Sequence, residues 1–388
     1  MAMICDPAFK HVVEAFRDGV VRGGAALAVV AGGRPVVDVW HGTRDEAGRL
    51  PWERDTAVNV FSVSKAVLAT AAHLAAQQGR LDLDAPVAKY WPEFRTDTTV
   101  ADLLAHRSGL AAIRRRLPTG SLYDWTAMTD ALATEEPWWP PGTRHGYHAV
   151  TFGWLVGEVL RRATGREPRD LTAELGLSLG WPTPGEPGWP TPGEPGWRGP
   201  GEPGWSGPSE PERRGSGEPG RQGPGEPAFV LPPEGTGAER LPAPITLCAF
   251  ANPPDLVAPG VVNTAAWRSA QIPAANGHAT ARALAGLFGR IGDLLTPTTL
   301  AEATAPRSEG HDEVLDGPTR FSLGYMLPNE LRPYAPNPRA FGHTGAGGAL
   351  AFADPDLDIA VAYTPSRVLL TPTGPDPRWT PITDALYA

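Results

Sequence analysis

The segment Val58-Asn59-Val60-Phe61-Ser62-Val63-Ser64-Lys65 runs directly into Ala66-Val67-Leu68-Ala69-Thr70-Ala71-Ala72-His73-Leu74-Ala75. Its first four residues are strand-like and, Asn59 apart, apolar. From Ser62 onward, Val67, Leu68, Ala71, Leu74 and Ala75 recur at helical spacing until Gly79, which predicts a strand that turns into a helix at Ser62. On that helix Ser62 and Lys65 are neighbours one turn apart. A hydroxyl is a poor nucleophile at neutral pH and needs a base within hydrogen-bond reach, and an amine desolvated by packing can be that base. A helix N-terminus also stabilises a developing anion. Lysine is scarce here, with only Lys10, Lys65 and Lys89 among 34 basic residues, so a Ser-x-x-Lys pair has little chance of arising at random. The alternative reading is a solvated pair at a helix start.

Outward from this segment, two β-rich runs, 25–31 and 34–41, meet at Gly32-Gly33, a hairpin signal. Residues 7–21 before them have helical spacing. Downstream, Thr98 and Thr99 can cap a helix over 100–105, and 151–163 continues an apolar stripe to a stop at Gly165. Later residues predict a helix over 279–291, strands over 321–327, 349–353 and 359–363, and a helix over 380–387. Strands at both ends bracket a helical middle. The expected fold is α+β, an antiparallel sheet flanked by helices, with 1–65 and about 280–388 forming the sheet domain and about 66–279 a helical one.

That helical part is interrupted. Gly180-Trp181-Pro182-Thr183-Pro184-Gly185-Glu186-Pro187 recurs every eight residues, and degraded copies fill 180–227. Proline removes amide donors and glycine raises the entropy cost of order, so the sequence predicts a mobile, repeat-expanded surface insertion. A Pro-rich docking tether is the functional alternative.

Composition narrows the function. The 388 residues carry a net charge of −9, which speaks against a basic nucleic-acid-binding surface. Hydrophobic residues at 41% with 13 Trp are enough for a large core and exclude a wholly disordered chain. Cys5 and Cys248 are the only cysteines, so there is neither a disulfide framework nor a Cys-x-x-Cys metal site. The first twenty residues hold Asp6, Lys10, Glu14, Arg17 and Asp18 without a signal-peptide core, and no run is long enough to span a membrane. The expectation is a cytoplasmic enzyme without metal or cofactor, with no nucleic-acid or membrane partner; the oligomeric state is left open.

Three more motifs complete the pattern. Leu103-Leu104-Ala105-His106-Arg107-Ser108-Gly109-Leu110, then Pro141-Gly142-Thr143 ahead of Tyr147, then His343-Thr344-Gly345 follow Ser62-x-x-Lys65 in order. With these spacings the chain resembles the superfamily of class C β-lactamases, D,D-peptidases and related family VIII-type esterases across its whole core. Neither a Walker loop nor a His-Glu-x-x-His motif is present.

The resemblance implies that Ser62 is the acylated nucleophile, Lys65 its proton acceptor and Tyr147 a proton shuttle whose phenol pKa is lowered by Lys65. It places an oxyanion N–H at Ala346, paired with that of Ser62, and substrate contacts at His343, Thr344 and Gly345. Two departures bear on substrate. Where the lactamase pattern has Tyr-x-Asn this chain has Tyr147-His148-Ala149, and the third-motif lysine is replaced by His343, so amide and carboxylate contacts are weakened. This points to the esterase or acyltransferase branches: a carboxylesterase-like enzyme taking a small acyl substrate. Passing the acyl group to an amine or alcohol is the alternative, and a non-catalytic binding protein on the same fold is a third. His145 and His148 read as loop hydrogen-bonders rather than metal ligands, and Ser108 as structural.

Overall fold

The computed structural model describes residues 3–19, 23–45, 47–180, 244–369 and 376–388. The octad segment lies outside them beyond Gly180. Among the described residues are ten strands: β1 (Ile4–Cys5), β2 (Gly24–Ala31), β3 (Arg34–Gly42), β4 (Val58–Asn59), β5 (His278–Ala279), β6 (Ser308–Asp312), β7 (Gly317–Phe321), β8 (Phe341–Thr344), β9 (Leu350–Asp354) and β10 (Ile359–Pro365). Six make an antiparallel sheet in the order β1-β3-β2-β10-β9-β8, so N-terminal and C-terminal strands join at β2–β10. The β2–β3 hairpin turns at Gly32 and Gly33, whose φ of 55° and 70° suit glycine.

Successive strand residues point to opposite faces, and here both faces are buried. Ala25, Leu27 and Val29 of β2 face one apolar cluster with Val12, Val13 and Phe16 of α1 (Lys10–Gly19). Ala26 and Ala28, with Ala351, Ala353, Ala360 and Ala362, face the other. That alanine-lined face lets the helix Ala281–Phe288 lie close against β2, β9 and β10. The second cluster also contains the buried helix α2 (Val63–Gln77), which packs against β8, α5 (Thr151–Thr164) and other helices. The helices α3 (Val100–Leu104) and α4 (Trp125–Ala133) pack in turn on α5. A capping box at Thr99 and Asp102 starts α3, and Gly165 at φ 71° ends α5. Among the described residues no helix is long and apolar enough to cross a membrane.

Two sequence expectations are corrected. Residues 321–327 are not a strand: β7 ends at Phe321, and Gly324, at φ 93°, turns the chain where a Cβ would collide with that of Ala69 on α2. The run 279–291 is not one helix. Thr280 caps Ala281–Phe288, and a separate short helix begins at Ile291; Gly289 lies in the break, where a Cβ would press on the Val30 side chain.

Candidate active site

Helix α2 begins against the end of β8. A Cβ at Gly345 would clash with the carbonyl oxygen of Val60, two residues ahead of Ser62, so segment 345–346 runs alongside the helix start. Phe61 holds a positive φ of 48°, uncommon for an aromatic residue and a local strain of the kind found at functional turns. The next residue, Ser62, opens the helix without using its side chain as a cap. Ser64 behaves differently. It is fully buried, donates to Phe61 O at 2.5 Å and accepts from the Gly277 N–H at 3.1 Å, so its hydroxyl is committed to structure.

Lys65 is fully buried, and its Nζ lies 2.9 Å from Ser62 Oγ. It donates to the carbonyls of Ala149 at 2.7 Å and Ala274 at 3.1 Å. Burial pushes the amine well below the ordinary lysine range. A neutral amine has two N–H groups and one lone pair, so with both N–H groups on carbonyls the lone pair is left for the Ser62 proton. Tyr147 is hydrogen-bonded to Ser62, and its ring centroid is 4.7 Å from Lys65 Nζ. The sequence expectation of a lowered phenol pKa is overturned: burial, the dominant cause, raises it above the ordinary value of 10.0 despite the bond to Ser62. Both shifts favour the neutral forms of the two groups. The proton chain runs from the Tyr147 hydroxyl to Ser62 Oγ and from Ser62 to the lysine nitrogen.

His343, on β8, is buried with its ring 6.0 Å from that of Tyr147. Its Nδ1 donates to Thr344 O at 2.6 Å, leaving Nε2 as an unprotonated acceptor without a hydrogen-bond partner among the described residues. Burial first and Lys65 second bring its pKa down to about 3, so position 343 carries no charge at neutral pH. The Thr344 hydroxyl, also buried, meets the Met326 sulfur at 3.5 Å. The amide of Gly345 donates to Ala349 O at 2.7 Å. The amides of Ser62 and Ala346 find no acceptor among the described residues.

Among the other groups near the site, Asp312 and Arg332 were missed from sequence, whereas His145, His148 and Ser108 make the loop hydrogen bonds read for them. Asp312, buried at the end of β6, accepts from the N–H groups of Tyr147, Val314 and Leu315 at 3.0, 2.9 and 2.9 Å and from the Thr319 hydroxyl at 3.0 Å. His145 Nε2 meets Thr319 Oγ1 at 3.0 Å. His148 Nδ1 donates to Gly146 O at 2.7 Å, so its Nε2 accepts from the Ser108 hydroxyl at 2.8 Å; Ser108 is wholly buried and also accepts from the Leu110 N–H at 3.2 Å. Arg332, half-buried on the loop after β7, lies within electrostatic reach of the Tyr147 phenol, a permanent charge that inspection of position 343 does not disclose. The carbonyls of Ala149 and Ala274 carry no side-chain signal at all.

The sequence profile of the Beta-lactamase family matches residues 9–378. The chain belongs to the β-lactamase family. Esterase/beta-lactamase LipL of Mycobacterium tuberculosis is 32% identical over 402 residues, spanning 94% of this chain and 82% of LipL. A family VIII carboxylesterase structure superposes with a TM-score of 0.79 at 30% identity, covering 100% of this chain and 99% of that one. A penicillin-binding protein homologue from Caulobacter crescentus gives 0.78 at 30% identity, with the same coverage. The fold is therefore that of the β-lactamase and penicillin-binding-protein esterases, and this member of the β-lactamase family is a serine hydrolase.

Proposed function

We propose that the enzyme takes a small carboxylic ester, forms an acyl-enzyme on Ser62 and releases the acyl group to water. The observation that carries this reading is the Lys65 amine, buried, held by two backbone carbonyls and 2.9 Å from Ser62 Oγ. As Ser62 Oγ attacks the ester carbonyl, its proton passes to the Lys65 nitrogen. The resulting oxyanion is held by the N–H groups of Ser62 and Ala346. On collapse the C–O bond to the alcohol breaks, and the alkoxide takes the Tyr147 proton, which Lys65 replaces. Deacylation reverses the path, with water giving its proton to the same pair and Ser62 regaining one.

Two features favour esters over β-lactams. His343 is neutral, and Ala149 offers only a carbonyl, already taken by Lys65. A β-lactam carboxylate thus lacks a charge-assisted bond at position 343, worth about 1.5–3 kcal/mol. The LipL relative is named for both activities, so the ratio between them is the quantity to measure. Intact-mass analysis after mixing with p-nitrophenyl acetate or butyrate should show an acyl adduct that Ser62→Ala abolishes. For these esters kcat/KM should exceed that for nitrocefin by orders of magnitude. Efficient nitrocefin hydrolysis, or no adduct with any ester, overturns the reading, and product that grows with added amine at the expense of acid would assign acyl transfer instead.

A further inference from the structure

The turn that follows β8 is fixed at several points. Gly348 N–H donates to Gly345 O at 3.0 Å and Gly345 N–H to Ala349 O at 2.7 Å. Gly347 and Gly348 both take left-handed φ values, 91° and 102°. Two such glycines in succession are conformationally soft, so a donor carried by this turn needs an outside restraint to stay in register. The Gly347 carbonyl receives one: it accepts from the Leu369 N–H at 3.3 Å and from Nη2 of Arg378.

Arg378 is itself immobilised. Its Nε donates to Asp376 Oδ1 at 2.9 Å, Nη2 to Asp376 Oδ2 at 2.5 Å and Nη1 to Arg367 O at 2.6 Å. The Asp376 side chain is 2% exposed and that of Arg378 15%. A Cβ at Gly348 would run into the guanidinium, so the glycine makes room for the contact. An arginine needed only to neutralise Asp376 would not direct the shared nitrogen to the carbonyl of a catalytic turn. The planar fork lets one side chain hold a carboxylate and two carbonyls in fixed relation.

We propose that Arg378, oriented by Asp376, is a positioning residue that holds the Ala346–Gly348 turn so that the Ala346 N–H meets the oxyanion. The inference rests on reading Ala346 as an oxyanion donor. Removing a donor from such a hole costs about 10²–10³ in kcat, and loosening its support costs part of that.

The test uses the full chain with p-nitrophenyl butyrate and a phenylboronic acid, whose tetrahedral adduct on serine needs the same N–H groups. In folded Arg378→Ala, kcat should fall about 10–100-fold with KM within about twofold, and boronate affinity should fall alongside kcat. Added guanidinium ion should restore part of the rate, while Arg378→Lys, which lacks the fork, should stay impaired. Unchanged kcat and boronate affinity in Arg378→Ala overturns the proposal, as does a loss of rate that guanidinium does not relieve and that matches the fraction unfolded. Ala346→Pro, which removes the N–H, and Ser62→Ala test the underlying site separately. If both variants lose activity while Arg378→Ala keeps it, only the positioning role fails; if Ala346→Pro, shown to be folded, stays active, the oxyanion reading fails with it.

Discussion

A lysine can act as a base at neutral pH only where the protein makes its protonated form expensive, and among the described residues Lys65 has no carboxylate to offset that cost, only two carbonyls and Ser62. Arginine stays protonated under all working conditions. Lys65→Arg should therefore lose about 10²–10⁴-fold in kcat, the usual worth of a general base, and raising the pH should not recover it. In the wild type the lowered amine and raised phenol set the shape of the pH profile. The rate should fall as the pH drops through the lowered Lys65 value, with no alkaline limb below the ordinary tyrosine value of 10.0. An alkaline limb near pH 8 that Tyr147→Phe removes would restore the lowered phenol expected from sequence. Residue types alone gave the Ser62–Lys65 pairing. They could not show that Ser64 is consumed by Phe61 and Gly277 while Ser62 is left to Lys65 and Tyr147, because that depends on a glycine more than two hundred positions away.

Elements with a strong period were legible, and those defined by one glycine or by a few paired residues were not. The β2–β3 hairpin and the start of α2 show themselves through alternation and spacing. Strand β8 has four residues, all buried, and its place at the sheet edge beside α2 follows from pairing with β9, which no local pattern encodes. The run 321–327 looked extended until Gly324, fitted against Ala69, broke it. The same kind of fit gives a prediction for the catalytic junction. Gly345→Ala puts a methyl group onto the Val60 carbonyl, and since both are backbone-anchored, one side must move. The end of β8 should shift away from Ser62 and kcat should drop about tenfold or more, because small misplacements of an oxyanion donor are costly. Steady-state rates and thermal melts on one preparation check this, and wild-type kcat would mean that segment 345–346 does not approach the reacting atoms.

Across the whole molecule, the most unusual investment is in buried neutral histidines. His73, His148 and His278 are each held down to about 4 and His343 to about 3, with burial the first cause in every case. For a base whose folded pKa is depressed, the unfolded chain binds protons that the folded chain refuses. Stability is then fully present above the unfolded value of 6.5 and is lost as pH falls toward the folded values. Lys65 acts with the same sign over a higher range, below its ordinary 10.5, so stability should decline gently from alkaline pH to about 7 and steeply from 6.5 to about 4.5. Calorimetric melts at pH 5 in buffers of different ionisation enthalpy should register uptake of about four protons on unfolding from these imidazoles. His73 offers a test away from Ser62: it stacks on Tyr325 with ring centroids 6.0 Å apart, and its Nε2 bonds Leu323 O at 2.8 Å. His73→Gln keeps a donor for that carbonyl and removes the titration, so it should cut proton uptake by about one and flatten the acid side of the Tm curve. Ester turnover at pH 8 should be unaffected. A Tm that stays level from pH 7 to 4.5 would show that the buried imidazoles protonate in place, and the slope of the His73→Gln curve would then match the wild type.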